Sequence, residues 1–131
     1  MKKIIKSDQE WKNQLTNEEY IVTRKKGTEP PFSGKNFNSN RKGFYKCKCC
    51  NEILFESNTK YESHSGWPSF FDCYSKQSII EEIDNSHGMK RTEVLCSKCD
   101  AHLGHLFDDG PKPTGKRYCI NSLSLNFEEI E

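Results

Sequence analysis

Three features of the chain point to a mainly antiparallel β domain with a short helical preface and a metal staple. From Gly43 onward, apolar and β-branched residues come in brief runs separated by turn residues. Two capping-box spacings precede that region. Two Cys-x-x-Cys pairs lie far apart in the chain, the pattern of a tetrahedral zinc site.

The preface is read from its caps. Ser7 stands three residues before Glu10, ahead of Trp11 and Leu15, and Thr16 stands three before Glu19, ahead of Tyr20 and Val22. At each, the hydroxyl accepts the backbone N–H of the fourth residue, and that residue's carboxylate accepts the N–H of the first. These spacings predict short helices near 8–15 and 17–25, within a preface of about 7–26. Gly27 ends it, and Glu29-Pro30-Pro31-Phe32-Ser33-Gly34 reads as an ordered turn. Strands are expected at 44–47, 53–55, 78–83, 91–95, 117–120 and 123–127. Gly88, Gly104, Gly110 and Gly115 punctuate them, with Pro111 and Pro113. No linker-like stretch intervenes, so residues 1–131 read as a single domain.

Composition sets the bounds. The chain has 131 residues, close to one domain on a prior of roughly 150. Lys plus Arg is 20 and Asp plus Glu is 19, a formal net charge of +1. That balance argues against nucleic acid or an anionic membrane surface as partner. Hydrophobic residues make up 33% and charged residues 30%, so the core is modest and suits a staple. No apolar run approaches a membrane span. The start, Met1 to Lys12, lacks the apolar core of an export signal, so a cytoplasmic protein is expected. There, paired cysteines read as metal ligands or redox thiols rather than bridges. The cysteine count of seven is odd, so disulfides alone leave one over.

Cys47, Cys50, Cys96 and Cys99 form the metal constellation. Each Cys-x-x-Cys turn places two sulfurs on one side, and two turns brought together complete four ligands. Cys49 competes for the first turn; Cys50 is preferred because its spacing matches the second. Four protein thiolates leave no open coordination position, so this zinc is structural and the chemistry lies elsewhere.

Cys49, Cys73 and Cys119 remain. If Arg117-Tyr118-Cys119-Ile120-Asn121 is a strand, Arg117, Cys119 and Asn121 share one face, and Tyr118 and Ile120 turn into the core. Arginine beside a thiol favours the thiolate, and Asn121 offers amide hydrogen bonds; an inert strand cysteine is the plain alternative. Upstream, His102 and His105 stand three residues apart, with Asp109 following. They are candidates for proton transfer, or belong to a surface turn. His64 and His87 lie in polar loops and read as solvated. Ser63 to Phe71 gathers aromatics around Gly66 and Pro68, so Trp67 is either core or the wall of an apolar pocket.

Together Gly27 to Gly34, Gly66-Trp67-Pro68-Ser69-Phe70, Cys96 to Gly110 and Arg117 to Ser122 resemble the methionine-R-sulfoxide reductases of the MsrB (SelR) family. The resemblance runs from about Trp11 to Phe127. It implies a fold of two antiparallel β-sheets with a distal structural Zn2+. It implies Cys119 as nucleophile, with Arg117 and Asn121 in the active site. It places His102, His105 and Asp109 about the sulfoxide oxygen, and Trp67 and Phe107 against the substrate, Trp67 receiving the methyl group. The expected chemistry is attack by the Cys119 thiolate on the sulfoxide sulfur while His105, helped by His102 and Asp109, protonates the oxygen. Methionine leaves and Cys119 becomes a sulfenic acid. The substrates implied are oxidised proteins or peptides carrying the R epimer.

One position departs from much of the family. Many members carry a resolving cysteine two residues before the tryptophan of Gly-Trp-Pro-Ser-Phe, and here that residue is Ser65. Cys73 or Cys49 substitutes only within disulfide reach of Cys119. Direct reduction by thioredoxin or another small thiol is the favoured reading, in a monomer without nucleic-acid or membrane partners. The competing function is a non-catalytic zinc-stabilised module binding protein or RNA, which has no need of Arg117-Tyr118-Cys119-Ile120-Asn121. A thiol oxidoreductase using a Cys-x-x-Cys pair fails if all four paired cysteines hold metal.

Overall fold

A computed structural model describes residues 3–34 and 41–130. Met1 and Lys2, the first residues of the start read above as lacking an export signal, lie outside the described residues.

Both caps form. Helix α1 spans Asp8–Gln14 behind Ser7, and α2 spans Asn17–Arg24 behind Thr16, each with the reciprocal capping box in place. Nine strands follow among the described residues: β1 Gly43–Cys47, β2 Ile53–Glu56, β3 Lys60–Tyr61, β4 Ser69–Phe70, β5 Ile79–Asp84, β6 Arg91–Cys96, β7 His102–Phe107, β8 Arg117–Ile120 and β9 Leu125–Glu129. They make two antiparallel sheets, one ordered β2-β1-β9 and one ordered β3-β4-β8-β7-β6-β5. Aromatic rings fill the core. Phe55 stacks on Phe70 at 4.3 Å between centroids, and Tyr45 and Tyr118 meet that pair edge-on. Leu54, Val94, Leu103, Ile120 and Leu125 complete it.

The strands expected from the sequence form with small shifts. The last begins at Leu125 rather than position 123 because Ser122–Ser124 close a 3-10 turn. Three strands are not expected: β3 and β4 are only two residues each, and β7 is hidden because its two histidines and Gly104 obscure the alternation. Strand β7 is central: β6 and β8 flank it.

A register slip in β7 builds the site. Val94 pairs with Gly104, but Leu95 pairs with His102, leaving Leu103 as an extra residue. Strict alternation would send residues three apart to opposite faces. The bulge turns His102 back to the face of His105, and their rings lie 5.5 Å apart.

Candidate active site

The cysteine pairs sit where the two sheets meet. Cys47 ends β1 of the three-stranded sheet and Cys96 ends β6 of the six-stranded sheet, so each Cys-x-x-Cys occupies the turn after its strand. The sulfurs of Cys47, Cys50, Cys96 and Cys99 all lie within 4.8 Å of one another. The Cys47–Cys99 and Cys50–Cys96 pairs are both 3.6 Å apart. Zn–S bonds of about 2.3 Å set tetrahedrally separate the sulfurs by ~3.8 Å, so the cluster fits that ion. The N-terminal segment and its two helices grip the same turns. Arg24 donates to the Cys99 carbonyl at 2.6 Å, Gln14 to the Cys49 carbonyl at 2.8 Å, and the Ile4 N–H to the Lys98 carbonyl at 2.7 Å. Cys49 is buried beside the four and interacts with Thr23 of α2, outside the ligand set.

The second site is a pocket of about 270 Å³ on the six-stranded sheet. A row of residues is paired across the sheet here, Ser69 on β4 opposite Cys119 on β8, then His105 on β7, then Glu93 on β6, and of these Cys119 and His105 line the pocket. Strand β8 alternates as expected, with Tyr118 and Ile120 buried and Arg117 and Cys119 on the half-open face. Trp67, Phe107, His105, Arg117, Cys119 and Asn121 all line the pocket. Gly104 does too; a Cβ there would strike the Cys119 carbonyl, so glycine permits the close approach of β7 to β8.

Each side chain has a defined hold. Trp67 is half-buried rather than core, and its indole Nε1–H donates to the Glu29 carbonyl at 2.9 Å. Arg117 lies over the Phe107 ring at 4.2 Å and makes a two-pronged pair with Asp109, Nε to Oδ1 at 2.8 Å and Nη2 to Oδ2 at 3.2 Å. Asp109 is therefore on the arginine, and it does not line the pocket. Asn121 is buried at the pocket edge: its amide donates to the Leu103 carbonyl at 3.1 Å and accepts the Glu29 N–H at 3.1 Å. His102 is buried behind His105, with Nδ1 2.8 Å from a Glu93 carboxylate oxygen. Lys26 caps the other Glu93 oxygen at 3.1 Å. His64 and His87 are exposed.

Electrostatics at Cys119 differ from the expectation for an arginine neighbour. Burial pushes the Cys119 thiol above its ordinary value, and the Ser65 hydroxyl and Arg117 only partly offset it. Burial likewise lowers the pKa of His102, against the pull of Glu93, and favours the neutral ring.

The spare thiols lie elsewhere. Cys73 interacts with the Tyr118 side chain, which alternates to the opposite face of β8 from Cys119. Cys49 belongs to the metal end. Ser65 is the near neighbour, its Oγ 4.0 Å from the Cys119 sulfur.

Three buried or half-buried carboxylates carry no sequence signal of their role. Glu29 is buried, accepts the Leu123 N–H at 2.8 Å, and is tied through its backbone to Trp67 and Asn121. Glu93 holds His102, and Asp84 lies 2.8 Å from His105 Nε2. Alternating strands rich in Glu and Asp look solvated until tertiary packing covers them.

Comparison with known proteins agrees with this arrangement. The SelR domain family model matches residues 15–129. A protein of Hahella chejuensis named peptide methionine sulfoxide reductase MsrB is 60% identical over 131 residues, covering 100% of this chain and 94% of that one. Proteins of the same name from Methanosarcina mazei and Leptospira interrogans are each 55% identical; the first match covers 98% of this chain and 92% of the relative, the second 95% of both. A crystal structure of the Mis18 "Yippee-like" domain superposes with a TM-score of 0.56 at 19% identity, over 70% of this chain and 99% of that one, a likeness of fold alone. A non-catalytic zinc-stabilised binding module is not favoured by these relatives. With the family model spanning nearly the whole chain, and relatives of one name aligned end to end, this chain belongs to the MsrB (SelR) family.

Proposed function

We propose that the chain is a peptide-methionine (R)-S-oxide reductase with Cys119 as its nucleophile. The observation that carries this reading is Cys119 opposite His105 on β8 and β7, both opening into one pocket walled by Trp67 and Phe107. The substrate's methyl group lies against the Trp67 indole, and its oxygen faces His105. Methyl and oxygen thus have separate walls, so one sulfoxide epimer fits.

The Cys119 thiolate attacks the sulfoxide sulfur while His105 gives a proton to the oxygen. Arg117, held by Asp109, favours the thiolate that burial alone would suppress. The S–O bond at methionine breaks. The methionine sulfur gains two electrons, and the Cys119 sulfur loses two and keeps the oxygen and its proton as sulfenic acid. His102 supports His105 from behind, and Asn121 clamps the Glu29 loop to β7.

Reset falls to an external thiol, thioredoxin or a similar small reductant, because neither Cys73 nor Cys49 faces Cys119. Zinc held by Cys47, Cys50, Cys96 and Cys99 ties the sheets together and takes no part in the reaction. No helix among the described residues is long and apolar enough to cross a membrane. A monomer in the reducing cytoplasm suits this chemistry.

The test compares wild type with Cys119→Ser on R and S epimers of a methionine sulfoxide peptide, with dithiothreitol as reductant. Turnover of the R epimer by wild type alone is expected, with a loss of at least ~10³-fold in the variant. Equal turnover by the variant, or preference for S, refutes the reading.

A further inference from the structure

Asp109, the carboxylate expected behind the histidines, is taken by Arg117, and a different carboxylate stands on His105. We propose that Asp84 is a positioning residue for His105, fixing the imidazole tautomer and stabilising its protonated form as it delivers a proton. The inference rests on the reading of His105 as the proton donor.

Asp84 closes β5, the edge strand of the six-stranded sheet, two strands away from β7. Its side chain crosses toward the pocket face. Oδ2 lies 2.8 Å from His105 Nε2 and 3.7 Å from Arg91 Nη2, while Oδ1 accepts the Ser86 N–H at 2.9 Å. Three contacts from two other strands and a turn leave the carboxylate one orientation. Both partners are well covered, the His105 side chain 12% exposed and the Asp84 side chain 16%.

The chemistry follows from what each atom can do. An ionised carboxylate only accepts, so Nε2 carries the hydrogen. The His105 bond and Ser86 hold Asp84 well below the ordinary carboxylate range, which keeps it an acceptor. Nδ1 is then the nitrogen left to serve the pocket. When His105 is protonated, Nδ1–H passes its proton to the sulfoxide oxygen, and the neutral ring keeps Nε2–H on Asp84. Water re-protonates Nδ1 before the next turnover. Throughout, the Asp84 charge stays beside the ring, as in any base oriented by a third group.

The other charged groups about His105 are already engaged or serve other atoms. Glu93, opposite it on β6, is held by His102 and Lys26. Arg91 touches Asp84, Arg117 is paired with Asp109, and Cys119 is the nucleophile opposite on β8. His102 lies ring to ring with it, and burial favours its neutral form.

Asp84→Asn and Asp84→Ala are compared with wild type on the R-sulfoxide peptide, alongside 15N spectra of the His105 imidazole. Wild type is expected to show the Nε2–H tautomer. Both variants are expected to lose about 10- to 100-fold in kcat, a share of what general acid catalysis supplies, with KM changed less than about twofold. An Nδ1–H tautomer in wild type, or variants that keep kcat, overturns the proposal. A variant that fails to fold leaves the wild-type tautomer to decide. Absence of R-sulfoxide turnover in wild type itself would instead refute the underlying function.

Discussion

The cysteine cluster where the sheets meet and the pocket around Cys119 use the same reactive group in opposite settings. At the cluster, four sulfurs crowd within 4.8 Å and two helices grip the turns that carry them. Every sulfur there has a thiol neighbour, and a metal bound by all four has no open position. At the pocket, one sulfur stands among an arginine, a histidine, a serine and two aromatic walls. Nothing in the side chain itself separates the two roles. What separates them is the number of thiols in reach and whether a substrate-sized space adjoins them.

This contrast is sharpened most by removing a metal ligand. Cys96→Ser is expected to abolish bound zinc and destabilise the chain by several kcal/mol, since metal binding is folding free energy at such a site. Metal analysis with thermal melting checks it. A variant that keeps zinc and its melting temperature would break the division between the two cysteine sites. Chelation of wild type should act the same way, lowering the melting temperature before it alters the kcat of the folded fraction.

A smaller effect tests the pocket side. Ser65→Cys brings a second thiol to the position whose Oγ is 4.0 Å from the Cys119 sulfur. After one turnover without reductant, mass spectrometry should find an internal bridge from the introduced thiol to Cys119. In wild type no bridge from Cys119 to Cys73 or Cys49 is expected. A wild-type bridge would overturn external reset.

The smallest expected effect is a pH slope. Burial lowers the His102 pKa from its ordinary value of 6.5, so the unfolded chain binds that proton more readily than the folded one. Stability should therefore fall as pH drops below the ordinary histidine value, and level off below the folded-state value. His102→Gln should flatten the fall of melting temperature between pH 7 and 5; an unchanged slope would count against the buried neutral ring.

Much of this molecule was legible before its structure. Ser7 with Glu10 and Thr16 with Glu19 mark both helices because a capping box is local. The doubled Cys-x-x-Cys and the alternation of Arg117 to Ile120 are local too. Strand β7 was not legible, because a bulge at Leu103 breaks its period and the histidines read as a polar turn. Asp84 and Glu93 were hidden for a different reason. Their partners, His105 and His102, come from another strand, and their short-range pattern is that of any solvated strand face. Asp109 shows the converse: proximity in sequence placed it with the histidines, and geometry gives it to Arg117.

The central claim is that Cys119 itself takes the oxygen. Wild type reacted with excess R-sulfoxide peptide and no reductant, in the presence of a sulfenic-acid trap, measures this directly. One methionine per chain and one trap adduct, located on Cys119, is the predicted result. Methionine formed with the adduct on another cysteine, or formed equally by Cys119→Ser, would contradict it.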